Sequence, residues 1–143
     1  MVAGAVGVVA AQERGPERRL GRPDPAVIQA ELGLSPDQAA QLRYFEIAPG
    51  GYSTLERHQH THAVLILRGR GRCLVGGTVE PIHEHDLVTV PPGTWHQFRA
   101  APDAPLGFLC MVDAVRDKPE LPDAAALAAM RAHADVAGFL DER

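Results

Sequence analysis

Within LERHQHTHAVLILRG, residues 55–69, Glu56, His58, His60 and His62 occupy alternate positions, and an aliphatic run follows directly. Imidazole and carboxylate are the side chains that hold divalent transition metals, and four in such a row bring no evident gain to folding. Alternate residues of an extended chain share one face, so all four are able to point the same way. A metal needs three or four donors within about 2.0–2.2 Å of one ion. Same-face neighbours on a straight strand stand roughly 6.5–7 Å apart. The segment therefore has to bend, and at least one donor has to come from another part of the chain.

The elements around this segment read as short strands. LRYFEIAP (42–49) places Leu42, Tyr44 and Glu46 on one face and Phe45 and Ile47 on the other, and Pro49-Gly50-Gly51 ends it. YSTLERH, HAVLILRG, GRCLVGG, DLVTVPPG, WHQFRA and PLGFLCMVD follow. They are separated by Gly69-Arg70-Gly71, Gly76-Gly77, Pro91-Pro92-Gly93 and Ala101-Pro102-Asp103. Strands of this length and spacing predict an all-β sandwich or barrel over 41–113. Residues 1–40 read as a partly mobile N-terminal arm, rich in Gly, Pro and Arg at its start. PAVIQAEL (25–32) reads as a short helix stopped by Gly33, and Ser35-Pro36-Asp37 as a further N-cap. The 114–143 tail changes character: Asp123 is a candidate N-cap, and Leu127, Met130 and Ala134 recur at helical spacing. A helix or helix pair on the outside of the barrel is expected.

Composition narrows the function classes. At 143 residues the chain is long enough for one domain with a real core. A net charge of −4 argues against nucleic acid, and Arg14, Arg18, Arg19 and Arg22 are interleaved with Glu13 and Glu17 as on a solvated arm. The apolar run in MVAGAVGVVAAQ is too short to span a bilayer and lacks the basic start of a secretory signal. Cys73 and Cys110 suit a reducing compartment. The expected setting is cytoplasmic, with no membrane and no nucleic acid among the partners.

Two spaced motifs then resemble the cupin family. The first family motif, G(x)5HxH(x)3,4E(x)6G, is matched by Gly50, Glu56, His58, His62 and Gly69, with Glu56 at the first His position and His62 at the Glu position. The second, G(x)5PxG(x)2H(x)3N, is matched by Pro91, Gly93 and His96, with His85 and Ala100 at its two ends. The resemblance implies a double-stranded β-barrel of the cupin or jelly-roll type, and one divalent transition metal per chain. Its ligands would be Glu56, His58, His62 and His96. Fe(II), Mn, Ni, Zn and Cu all suit three imidazoles and a carboxylate. His60 is the alternative fourth donor, and Glu56 or His60 is also placed to act as a base beside the metal.

In small cupins the late strand lines the pocket, which makes Phe108 and Cys110 of PLGFLCMVD candidate substrate contacts. The competing reading packs Cys110 as a small hydrophobe. Arg68 shares parity with His62, Val64 and Ile66, so it is a third candidate, against an exposed position beside Gly69. Trp95, next to His96, is expected to face away from the metal. The function expected is a metal-dependent enzyme on a small organic molecule, with oxygenase chemistry ahead of isomerase, lyase or cyclase chemistry. A non-catalytic module that binds a metal or small ligand is the reading from another class. Leu65 and Leu67, opposite in parity to His62, call for cover outside the barrel, and a homodimer would supply it.

Overall fold

The computed structural model describes residues 27–32, 39–115 and 117–142. Seven strands and two helices follow in order: β1 Val27–Leu32, β2 Ala40–Ile47, β3 His62–Val75, β4 Thr78–His83, β5 Leu87–Val90, β6 His96–Ala100, β7 Leu106–Asp113, α1 Ala124–Arg131 and α2 Ala134–Asp141. Every pairing is antiparallel, in the order β1-β2-β7-β3-β4, with β5 and β6 also on β3.

Strand β3 organises the molecule. Its first half pairs with β7 and β5, and its second half with β4 and β6, so one long strand belongs to both sheets. The bend between them falls where Gly69, at φ +76°, and Gly71 approach other backbone: a β-carbon would overlap the Pro105 carbonyl oxygen at the first and the Arg99 carbonyl oxygen at the second. The expected turn at Gly69-Arg70-Gly71 is thus a bend within a single strand. Glycine supplies both signals, and only the neighbouring strands distinguish them. YSTLERH likewise makes isolated bridges at Tyr52, Glu56 and Arg57 in place of a full strand.

Val64, Ile66, Val90, Leu106, Phe108 and Val112 form the interior between the sheets, joined by Ile47, Phe98 and Cys73. Burial pushes the Cys73 thiol up to about 11, which leaves it a packing group. A second cluster covers the outer side of the other sheet, where Leu74 meets Met130, Val136 and Phe139 of the helices, with Trp95 against it. The Asp123 side chain caps α1 by accepting from the Ala126 N–H at 2.8 Å. The helical tail is therefore where the alanine-rich pattern put it, with a break after α1.

Two expectations fail here. Val27–Leu32 is a strand, paired in register from Val27↔Ile47 to Leu32↔Leu42, and not a helix. Six residues are too few to form a helix on propensity alone, and the free edge of β2 offers a full ladder instead. Ser35-Pro36-Asp37 and residues 1–26 lie outside the described residues. Arg68 also leaves its expected face. A bulge between Ile66 and Arg68 shifts the register against β7, so parity is lost at that point. Arg68 is 53% exposed and pairs at 3.5 Å with Glu46, which also accepts from the Tyr44 hydroxyl at 2.7 Å.

The outer face of the β7–β3–β5 sheet carries Leu65, Leu67, Leu87 and Met111 in the open, at 37–67% exposure. Leu65 stands opposite Leu109 and Leu87 in register, so the patch is continuous across three strands. Such a face predicts association with a second copy. Light scattering at micromolar concentration is expected to give twice the 15.3 kDa chain mass, and Leu65→Lys to shift it to the single mass. A monomer for the unaltered chain would refute this.

Candidate metal centre

The chain arrives at the site along three routes. Residues 51–57 run beside β6, held by Ser53 N–H to Phe98 O at 2.8 Å and by the mutual Glu56–His96 backbone pair at 3.2 and 3.0 Å. His58 lies just beyond that bridge, His62 opens β3 and His96 opens β6. The donor atoms of His58, His62 and His96 all lie within 4.8 Å of one another. The bend required of the alternating segment is thus present, and β6 brings the donor that the segment cannot supply.

The hydrogen bonds set the tautomers. His58 Nδ1–H donates to the His60 carbonyl at 3.1 Å, and His96 Nδ1–H to the Thr94 carbonyl at 3.0 Å. Each ring is thereby left with a lone pair on Nε2. His58 Nε2 is buried with no hydrogen-bond partner. A buried nitrogen aimed at two other imidazoles and bonded to nothing is a poor arrangement for a protein alone and a good one for a cation.

Charge state agrees. Burial, then the neighbouring histidines, pushes His58 down to about 4 and His62 down to about 2, and burial also lowers His96. All three imidazoles are neutral at pH 7, the form that binds metals.

His60 stands beside the triplet. Its ring stacks on His58 at 3.9 Å, its Nδ1–H donates to Asp117 Oδ1 at 2.8 Å, and its Nε2 lies 2.9 Å from His62 Nε2. Asp117 also accepts from the Gln59 N–H, and its bond to His60 holds its own carboxyl below the usual range. Glu56 is the hydrogen-bonded cross-strand neighbour of His96 and so shares its face, but it is outside the group of converging donors.

On the opposite wall, Cys110 Sγ lies 3.4 Å from His62 Nδ1. Phe108 stacks on Phe45 at 5.4 Å and leans on Phe98 at 5.0 Å. Trp95 faces the helices, under the Arg57 guanidinium at 4.6 Å. His83 ends β4, His85 lies in the turn that follows, and His133 precedes α2 without a side-chain cap, all exposed.

Two site residues escaped the spacing argument. Asp117 is 57 residues from His60 in a segment without a motif, and nothing in the sequence links them. Arg43 had a signal: it alternates with Phe45 and Ile47, and β2–β7 register sets it opposite Cys110.

A family model described as the cupin domain matches residues 43–112. Among solved structures, a cupin-2 domain protein from Rhodospirillum rubrum is 48% identical, with a TM-score of 0.83 over 94% of this chain and 95% of that one. A cupin 2 conserved barrel domain protein from Rhodopseudomonas palustris is 44% identical, with a TM-score of 0.81 over 92% and 98%. A curated relative, the 1-methylthio-D-xylulose 5-phosphate methylsulfurylase of Rhodospirillum rubrum, is 61% identical over 101 residues, 71% of this chain. The match spans 65% of that relative's length. Identity of this order across nearly the whole of a solved cupin-2 protein, on the same strand order and with the histidines gathered between the sheets, places the chain in the cupin-2 family.

Proposed function

We propose that this protein is a metal-dependent enzyme that acts on a phosphorylated methylthio ketose of the 1-methylthio-D-xylulose 5-phosphate type. The observation that carries the proposal is the trio of buried or half-buried neutral imidazoles, one with an orphan Nε2, set against a thiol. The name of the 61% identical relative supports the substrate class. His58, His62 and His96 would hold the ion, with His60 and Glu56 beside it. A divalent metal held there supplies a Lewis acid for a substrate carbonyl.

In such a ketose, C1 carries the methylthio group next to the C2 carbonyl. Cys110 Sγ, 3.4 Å from His62 Nδ1, gives up its thiol proton to Glu56, the base of the site. The thiolate attacks the methylthio sulfur: an S–S bond forms, the C1–S bond breaks, and the electron pair passes into the C1–C2–O enolate. Glu56, on the face of His96, delivers the proton to C1 and leaves a 1-deoxy ketose. A small-molecule thiol then attacks the mixed disulfide, carries off the methylthio group and frees Cys110.

Incubation of metal-loaded protein with 1-methylthio-D-xylulose 5-phosphate and a thiol is expected to yield the 1-deoxy ketose phosphate and a methylthio disulfide, read by NMR. The oxygenase chemistry expected from the donor set would instead consume one O2 per turnover. No conversion with any of the five metals, or conversion that requires O2, would refute the proposal.

A further inference from the structure

The reading above leaves the phosphate of the substrate without a partner. Of the described arginines, Arg57, Arg68, Arg70, Arg72 and Arg131 reach out from the surface, and Arg99 packs over Tyr52 and Phe139 on the helix side. Arg43 differs in its face. It stands directly opposite Cys110 in the β2–β7 register, and directly opposed residues of an antiparallel pair project to the same side. Cys110 projects to His62 Nδ1 at 3.4 Å, so Arg43 lies on the wall that looks toward the histidines.

Its guanidinium carbon lies 5.5 Å from the centre of the Phe45 ring, and Phe45 is itself stacked on Phe108. The side chain is therefore held against an aromatic wall and not spread into solvent. Its charge is felt at His62, where it is the weakest of several influences that keep that imidazole neutral. A fixed, planar cation one strand away from the thiol, half-buried in the interior, is suited to grip a dianionic phosphate through paired N–H donors.

We propose that Arg43 binds the phosphate of the substrate and so sets the preference for a phosphorylated ketose over the free sugar. The assignment rests on the proposed substrate class, but it concerns binding and not turnover, so the two are separable. D-xylulose 5-phosphate, which lacks the methylthio group and cannot undergo the cleavage, is the probe, with D-xylulose as its uncharged control.

Calorimetry on metal-loaded protein is expected to show that Arg43→Gln weakens D-xylulose 5-phosphate binding roughly 10- to 100-fold. Arg43→Lys should recover part of the loss, since a point charge remains without the paired geometry. D-xylulose binding and bound metal per chain should be the same in all three proteins. Arg43→Gln that binds D-xylulose 5-phosphate as tightly as the unaltered chain overturns the assignment, whatever the reaction. An unaltered chain that prefers neither sugar also overturns it. Arg43-dependent binding of the phosphate without conversion of the methylthio compound upholds Arg43 and overturns the reaction instead.

Discussion

His96→Ala is expected to purify with less than a tenth of the metal per chain that the unaltered protein carries, and to bind added metal at least ~100-fold more weakly. His58→Ala and His62→Ala should behave alike, because three converging donors fix an ion and two leave it to solvent. The barrel should remain folded in each case. Its core is made of Val64, Ile66, Val90, Leu106, Phe108 and Val112, and none of these depends on the imidazoles. Elemental mass spectrometry gives the metal, and far-ultraviolet circular dichroism the fold. Glu56→Gln should keep its metal and lose turnover, since the carboxylate lies outside the donor group. His60→Ala tests the other neighbour: its Nε2 is 2.9 Å from that of His62, and its orientation is set by Asp117. Full metal in His96→Ala would refute the ligand set. Loss of metal in His60→Ala with none in Glu56→Gln would make His60 the fourth ligand.

Cys110→Ser is expected to reduce turnover of the methylthio ketose phosphate by ~10³-fold or more while metal content and D-xylulose 5-phosphate binding stay unchanged. The substitution is close to isosteric, and a hydroxyl at this position keeps the polar contact with His62 Nδ1. What it loses is the sulfur nucleophile itself. Withholding the small-molecule thiol should trap a methylthio adduct on Cys110, visible by peptide mass spectrometry, whereas Cys73, buried and pushed up to about 11, should carry none. A Cys110→Ser protein with more than a tenth of normal turnover, or an adduct on Cys73 alone, would remove the thiol from the mechanism.

Much of this molecule is determined by the sequence alone. The alternation in HAVLILRG and the capped alanine-rich tail are local patterns whose elements are present, whereas the Gly69-Arg70-Gly71 signal marks a bend inside β3 and YSTLERH makes only isolated bridges. Period-two geometry puts Glu56, His58, His60 and His62 on one face before any packing occurs, and the resemblance to the cupin motifs implies Glu56, His58, His62 and His96 as ligands, of which the three histidines converge.

Tertiary structure decided the rest, at the places where local parity stops governing. One extra residue in the β3–β7 ladder turns Arg68 outward, although its spacing from His62 is right. Val27–Leu32 is a strand because the edge of β2 was there to receive it. Asp117 reaches His60 across 57 residues, and Arg43 meets Cys110 across two strands. Such contacts depend on how separate elements register against one another, and hydrogen bonds across strands carry no trace in the residues between them. The sequence selects the chemistry available at each face; the ladder registers select which faces meet.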